Sequence, residues 1–267
     1  MDKEHELKRA IRVVLFGGGP ALERGVKQFI CRLEEHPEIE FLGGFCQSEA
    51  QTFWAVVKDL WQRRRFLAGP LLLLQIGSGI SRFLSQPRAE IELNRKLARL
   101  SKRIYFVPDL HAENVLEAVR SLTPDLGLIY GSPILRPKLF EIPPLGTLGI
   151  HHGKVPEYRG KKTTFWAMYN GEETAWVTIQ KVNVGLDTGE IVKQGAVPIG
   201  RRSLPVVWNE LEALGLDLYL EAIVEVKRGI ASYQPQLGRK GKLYRDPKFD
   251  DILSLWWRSF SGQKIKE

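Results

Sequence analysis

Apolar residues along this chain alternate between short continuous runs and runs at helical spacing, and the alternation persists over most of its length. Arg12-Val-Val-Leu-Phe-Gly-Gly-Gly-Pro-Ala21 has the pattern of a buried strand entering a glycine turn, and Ala21 to Glu35 follows at helical period. Further strands are expected at Ile39 to Cys46, Arg103 to Val107, Asp125 to Tyr130 and Gly146 to His151, with a helix from Ala112 to Leu122 between the second and third of these. Trp176 to Val182 and Glu190 to Val197 read as two more strands. A long helix is expected from the cap Ser203, with Pro205 in its first turn and Val207, Leu211, Leu214 and Leu218 on one face, to a stop at Gly229. A short helix from Asp251 to Phe260 closes the pattern. Strands alternating with helices predict an α/β fold, a mostly parallel sheet covered by helices on both faces.

The segment 51–100 stands apart. Phe53, Trp54, Val57, Leu60, Trp61 and Leu67 fall at helical intervals, followed by Phe66 to Gly77, an apolar stretch broken by Gly and Pro and shorter than the ~20 residues that span a bilayer. This segment holds nine basic and three acidic residues, most of the chain's formal charge of +8. It is expected to be a basic helical insertion, a core helix with a solvated end in preference to a surface for peripheral membrane contact. The expected organisation is one domain over 1–200 carrying this insertion, with a helical extension over 201–267 packed on it.

At 43% hydrophobic and 26% charged, 267 residues suffice for one sizeable core, which excludes a disordered adaptor. Cys31 and Cys46 have no paired-thiol spacing, and the charged first residues lack an apolar centre; a reducing, cytoplasmic setting fits. The glycines after the first strand are followed by Leu22, Glu23 and Arg24, without the third glycine of a dinucleotide fingerprint.

Candidate chemistry gathers where such sheets bind ligands, beyond the carboxyl ends of the strands. A His beside a carboxylate can take and return a proton near neutral pH, and His151 and Asp187 are candidates for such a pair. In an extended strand Gly149 and His151 share a face, while His152 turns away, so a metal site from His151, His152 and Asp187 is disfavoured. Each residue alone has a structural reading: a strand-end His, or an Asp shaping the Gly185-Leu-Asp-Thr-Gly189 turn.

Gly146 to Gly160, with Phe165-Trp-Ala-Met-Tyr-Asn-Gly171, Val177-Thr178 and Gly185-Leu-Asp-Thr-Gly-Glu-Ile191, resembles the formyltetrahydrofolate-dependent formyltransferases. The resemblance implies a Rossmann-like formyltransferase fold and transfer of a formyl group from 10-formyltetrahydrofolate to an amine. It implies His151 and Asp187 as the family's catalytic His and Asp. Gly149 stands at the position of the family's Asn, whose carboxamide donates to the oxyanion; here only backbone remains. Other departures are His152-Gly153 for Pro-Ser, and Trp176 for a small residue. Lys154 is one candidate for the missing donor.

The same resemblance implies donor contacts from Gly131, Ser132, Ile134, Val184, Gly185 and Leu186, and acceptor contacts from Tyr158, Arg159 and His152. Arg159 also suits a brace on the Asp turn. The modest carboxyl-terminal part leads us to expect a small-molecule amine acceptor, biosynthetic or nucleotide-linked, and not tRNA. The alternatives are hydrolysis, cyclisation or another acyl transfer by the same dyad, or a ligand-binding relic without turnover.

Overall fold

The computed structural model describes residues 9–18, 22–48, 88–100, 103–237 and 241–261. The expected helix through Trp54 and Trp61, and with it most of the basic insertion, lies outside the described residues.

Among the described residues the elements are β1 (Ile11–Gly18), α1 (Arg24–Glu35), β2 (Ile39–Gln47), α2 (Arg88–Leu100), β3 (Ile104–Val107), α3 (Glu113–Ser121), β4 (Leu126–Tyr130) and α4 (Pro137–Phe140). Then follow β5 (Thr147–His151), β6 (Tyr158–Gly160), α5 (Thr163–Asn170), β7 (Thr174–Lys181), β8 (Ile191–Pro198), α6 (Leu204–Lys227), β9 (Lys242–Tyr244) and α7 (Phe249–Ser261). The main sheet has seven strands in the order β3-β2-β1-β4-β5-β7-β8. Strands β3 to β5 in that order pair in parallel, whereas β7 runs antiparallel to β5 and β8 antiparallel to β7. The fold is the α/β class expected, mostly parallel with helices on both faces.

Alternation along the strands sends apolar side chains to both faces. Val13, Leu15, Leu126, Leu128 and Leu148 meet Phe29, Ile30 and Leu33 of α1 and Leu216, Tyr219 and Ile223 of α6 on one face. Val14 and Phe16 meet Leu116 and Val119 of α3 and Leu139 and Phe140 of α4 on the other. Tyr219 is fully buried, and its hydroxyl donates to the Leu148 carbonyl at 2.7 Å while accepting from the Ile129 N–H at 3.0 Å, which ties α6 to β4 and β5. Such a buried hydroxyl needs its partners, because an unmet one costs about 1–3 kcal/mol.

Two local features position the candidate site. The ladder between β7 and β8 slips between Ile179 and Gln180, so that Ile179 pairs with Lys193 and Gln180 with Ile191. A second, two-stranded sheet joins β6 to β9 in parallel, with Gly160 opposite Tyr244. Neither β9 nor α5 has a counterpart among the sequence expectations, since three residues of strand and an eight-residue helix apolar on most sides give too little periodicity to read. No helix among the described residues is long and apolar enough to cross a membrane.

Candidate functional site

β5 delivers His151 at its last position. Leu148 faces the α6 side, and Gly149 and His151 face the opposite side. His151 is 8% exposed, and its Nε2 lies 2.8 Å from the Tyr158 carbonyl oxygen. A carbonyl only accepts, so Nε2 carries the hydrogen of the neutral ring and Nδ1 keeps its lone pair. That lone pair faces Asp187 Oδ1 at 3.5 Å. Burial pushes the His151 pKa below its usual value, opposed by the Asp187 charge and the Tyr158 carbonyl. The resting state is therefore a neutral base beside a carboxylate that favours the protonated form. Gly153 is what allows the ring this place: a Cβ there would lie 2.5 Å from His151 Nε2 and 2.7 Å from the Tyr158 oxygen.

Asp187 arrives by a different route. Because β7 opposes β5, Lys181 pairs with Leu148 at the far end of the strand, and the following turn comes back along the sheet to reach His151. Asp187 has φ of 51°, a left-handed conformation that short polar residues tolerate better than most. Its Oδ2 accepts from the Gly160 N–H at 2.8 Å, and its Oδ1 accepts from Gln180 Nε2 at 3.3 Å. Arg159 braces the turn through the Leu186 carbonyl, to which Nε donates at 3.0 Å and a second guanidinium nitrogen also donates. The brace is thus made to backbone and not to the Asp187 carboxylate.

Other sequence candidates fall elsewhere. The Tyr158 side chain is buried against Tyr244, ring centroids 5.0 Å apart, and its hydroxyl donates to Glu172 at 2.7 Å, so only its carbonyl reaches His151. His152 faces α6, where its Nε2 lies 2.7 Å from Glu212 Oε2 in a contact too poorly aligned for a hydrogen bond, and its ring packs on Trp208. Glu212 also accepts from the Tyr130 hydroxyl. Burial raises the Glu212 pKa, but the close His152 ring and the Tyr130 hydroxyl outweigh it and hold the carboxyl below its usual value. Lys154 pairs with Glu157 at 3.3 Å and lies over the Trp176 ring, which engages it away from Gly149.

Ile134 and Val184 are exposed apolar side chains at 70% and 77%, with Leu186 at 40%; Gly131 adopts φ of 61° and Ser132 bonds its neighbour Pro133. Gly185 donates its N–H to Asn183 within the Asp187 turn. At Gly149 a Cβ would make ordinary contacts, 3.5 Å to Val182 and 3.8 Å to Ile129, so the backbone does not demand glycine there.

Sequence reading missed Gln180, the Gly160 N–H and Gln236. Gln236 Nε2 donates to the Gly189 carbonyl at 2.7 Å and to Gln180 Oε1 at 3.1 Å. One signal was present: Thr178 and Gln180 are polar at alternate positions of β7, on the face that meets His151 and Gly149, while Val177 and Ile179 between and beside them are apolar.

Comparison with known proteins follows the same lines. Residues 86–221 match the formyl transferase family. Methionyl-tRNA formyltransferase of Chloroflexus aggregans is 34% identical over 177 residues, covering 61% of this chain and 57% of that protein. The enzyme of the same name from Thermodesulfovibrio yellowstonii is 33% identical over 129 residues, covering 47% of this chain and 42% of that protein. The chain thus spans about half the length of these curated relatives. The crystal structure of glycinamide ribonucleotide transformylase 1 from Symbiobacterium toebii shares the fold, with a TM-score of 0.58 at 17% identity over 87% of this chain and 95% of that one.

These relatives correct the expectation that tRNA is not a partner: the named relatives are methionyl-tRNA formyltransferases, and the length of the carboxyl-terminal part carries no weight against that. The family is one of transferases whose formyl donor is 10-formyltetrahydrofolate. The match over more than half of its residues, on the fold and around the His151–Asp187 pair, makes this chain a member of the formyl transferase family.

Proposed function

We propose that this chain transfers the formyl group of 10-formyltetrahydrofolate to a primary amine, with His151 and Asp187 carrying the proton chemistry. The observation that carries the reading is the His151 ring, fixed by the Tyr158 carbonyl with Nδ1 free and facing a carboxylate that is itself held at both oxygens. His151 Nδ1 takes the proton of the attacking amine, and the imidazolium so formed is stabilised by Asp187 at 3.5 Å. The same nitrogen returns the proton to the departing nitrogen of the donor. The Asp187 carboxylate is held in place by hydrogen bonds from the Gly160 N–H and Gln180 Nε2.

The exposed apolar side chains of Ile134, Val184 and Leu186 suit the flat ring of the donor, and backbone groups of Gly131, Ser132 and Gly185 lie on the same two turns. Arg159, as the brace of the Leu186 carbonyl, holds one of those turns. The acceptor supported by the named relatives is the amine of methionyl-tRNA.

The test is release of tetrahydrofolate from 10-formyltetrahydrofolate, followed with methionyl-tRNA, with a panel of small amines including amino sugars, and with no amine. Amine-dependent release that His151→Ala abolishes supports transfer. Release at the same rate without any amine would instead make the chain a hydrolase.

A further inference from the structure

The position opposite Gly149 is not empty of chemistry. Gly149 pairs with Gln180 across the β5–β7 ladder, and directly opposite residues of an antiparallel pair put their side chains on one face with Cβ positions about 4.5–5.5 Å apart. Gln180 is 7% exposed, so its carboxamide must find partners inside the protein. Its Nε2 faces Asp187 Oδ1 at 3.3 Å, the same oxygen that His151 Nδ1 faces at 3.5 Å. A carboxamide nitrogen has two hydrogens, and Asp187 is the single acceptor found for it among the described residues.

The polarity of that amide is set from outside. The Gly189 carbonyl can only accept, so the Gln236 amide must turn its nitrogen toward it. That same nitrogen meets Gln180 Oε1, which forces the donor end of Gln180 toward Asp187 and His151. Gln236 lies beyond residues 86–221, the part that matches the family. The segment that carries it also buttresses the other donor to Asp187, since β9 pairs Tyr244 with Gly160.

We propose that Gln180, across the strand from Gly149, supplies the carboxamide that donates to the developing formyl oxyanion, and that Gln236 is the positioning residue that aims it. The inference rests on formyl transfer being the reaction. On this reading the carboxamide comes from β7, directly across the ladder from the Gly149 position on β5. Lys154, held by Glu157 and Trp176, does not compete for the place.

The experiment is a set of three variants assayed for kcat and KM with thermal unfolding of each. Gln180→Leu is expected to lower kcat about 100-fold or more, the scale for loss of one oxyanion donor, with KM for the donor changed less than about threefold. Adding Gly149→Asn to Gln180→Leu returns an amide to β5, where its Cβ fits, and is expected to recover kcat at least about tenfold. Gln236→Glu keeps the shape but replaces donor by acceptor, turning the Gln180 oxygen toward Asp187; kcat is expected to fall about tenfold or more in a folded protein.

Retention of kcat within about threefold in Gln180→Leu, or a fall that Gly149→Asn does not recover, overturns the proposal. Should Gln180→Leu fail to fold, an unchanged kcat in Gln236→Glu overturns it. Absence of amine-dependent transfer in the unmodified protein overturns the reading on which it rests, which separates the two failures.

Discussion

Gly153→Ala tests the anchoring of His151 with the fewest other changes. The backbone at 153 is not left-handed, so the substitution adds no conformational strain; its cost comes from what the new methyl meets. That methyl would lie 2.5 Å from His151 Nε2, 2.7 Å from the Tyr158 carbonyl oxygen and 2.9 Å from Thr163 Oγ1. Two of those atoms form the bond that fixes the ring, and they must part to admit a carbon between them. Loss of a buried hydrogen bond costs about 1–3 kcal/mol, and overpacking a tight site about 1–3 kcal/mol more. The lower entropy of an unfolded chain with Ala offsets about 0.4–1 kcal/mol. A net loss of about 1–5 kcal/mol is expected, read by urea denaturation. The ring, freed from the carbonyl, also loses its reason to carry the hydrogen on Nε2, and a displacement of this size costs roughly 100-fold in kcat. Nitrogen-15 NMR of His151 reports the tautomer directly. A stability change under about 0.5 kcal/mol together with an unaltered Nε2–H signal would refute the anchoring of the ring by Tyr158.

Three further outcomes follow from the site. Since burial lowers the His151 pKa, the acid limb of kcat/KM is expected below the ordinary histidine value of 6.5; Asp187→Asn removes the charge that raises that pKa and moves the limb to still lower pH while kcat falls about 100-fold or more, measured as a pH–rate profile. Arg159→Ala frees the Leu186 carbonyl, so kcat is expected to fall while stability changes by about 1 kcal/mol or less, checked by paired kinetic and unfolding measurements. The Glu212 pKa is lowered in the folded state, so its contribution to stability is present above the ordinary value of 4.5 and is lost as pH falls through the folded value. Glu212→Gln should therefore flatten the decline in stability below about pH 4.5.

Much of this was readable from residues in order. The β1, β2, β4 and β5 runs and the apolar face of α6 are dense, periodic and long enough to be recognised, and they place His151 and Gly149 on one face without any structure. The approach of Asp187 to His151 depended on the resemblance, because a turn that folds back along a sheet leaves no periodic trace. Gln180, the Gly160 N–H and Gln236 act through one amide each, and their partners lie 7, 27 and 56 residues away in the chain. Local pattern cannot reach across such separations. His152 shows the opposite case: strand alternation sends it away from His151, toward Glu212, yet membership in the motif drew it into the expected acceptor contacts.

The slip between Ile179 and Gln180 in the β7–β8 ladder has a consequence for how this sequence tolerates change. On the β8 side the extra residue absorbs the irregularity, so Gln180 keeps faith with β5 whatever β8 does beyond it. A change of length at Val192, where β8 already carries an unpaired residue, should therefore be tolerated better than one within β7. A single-residue shift of β7 against β5 would bring Ile179 or Lys181 opposite Gly149 and carry the whole polar face of the strand to the wrong side of the sheet. Deep mutational scanning for insertions would draw that boundary as a sharp line between two neighbouring strands.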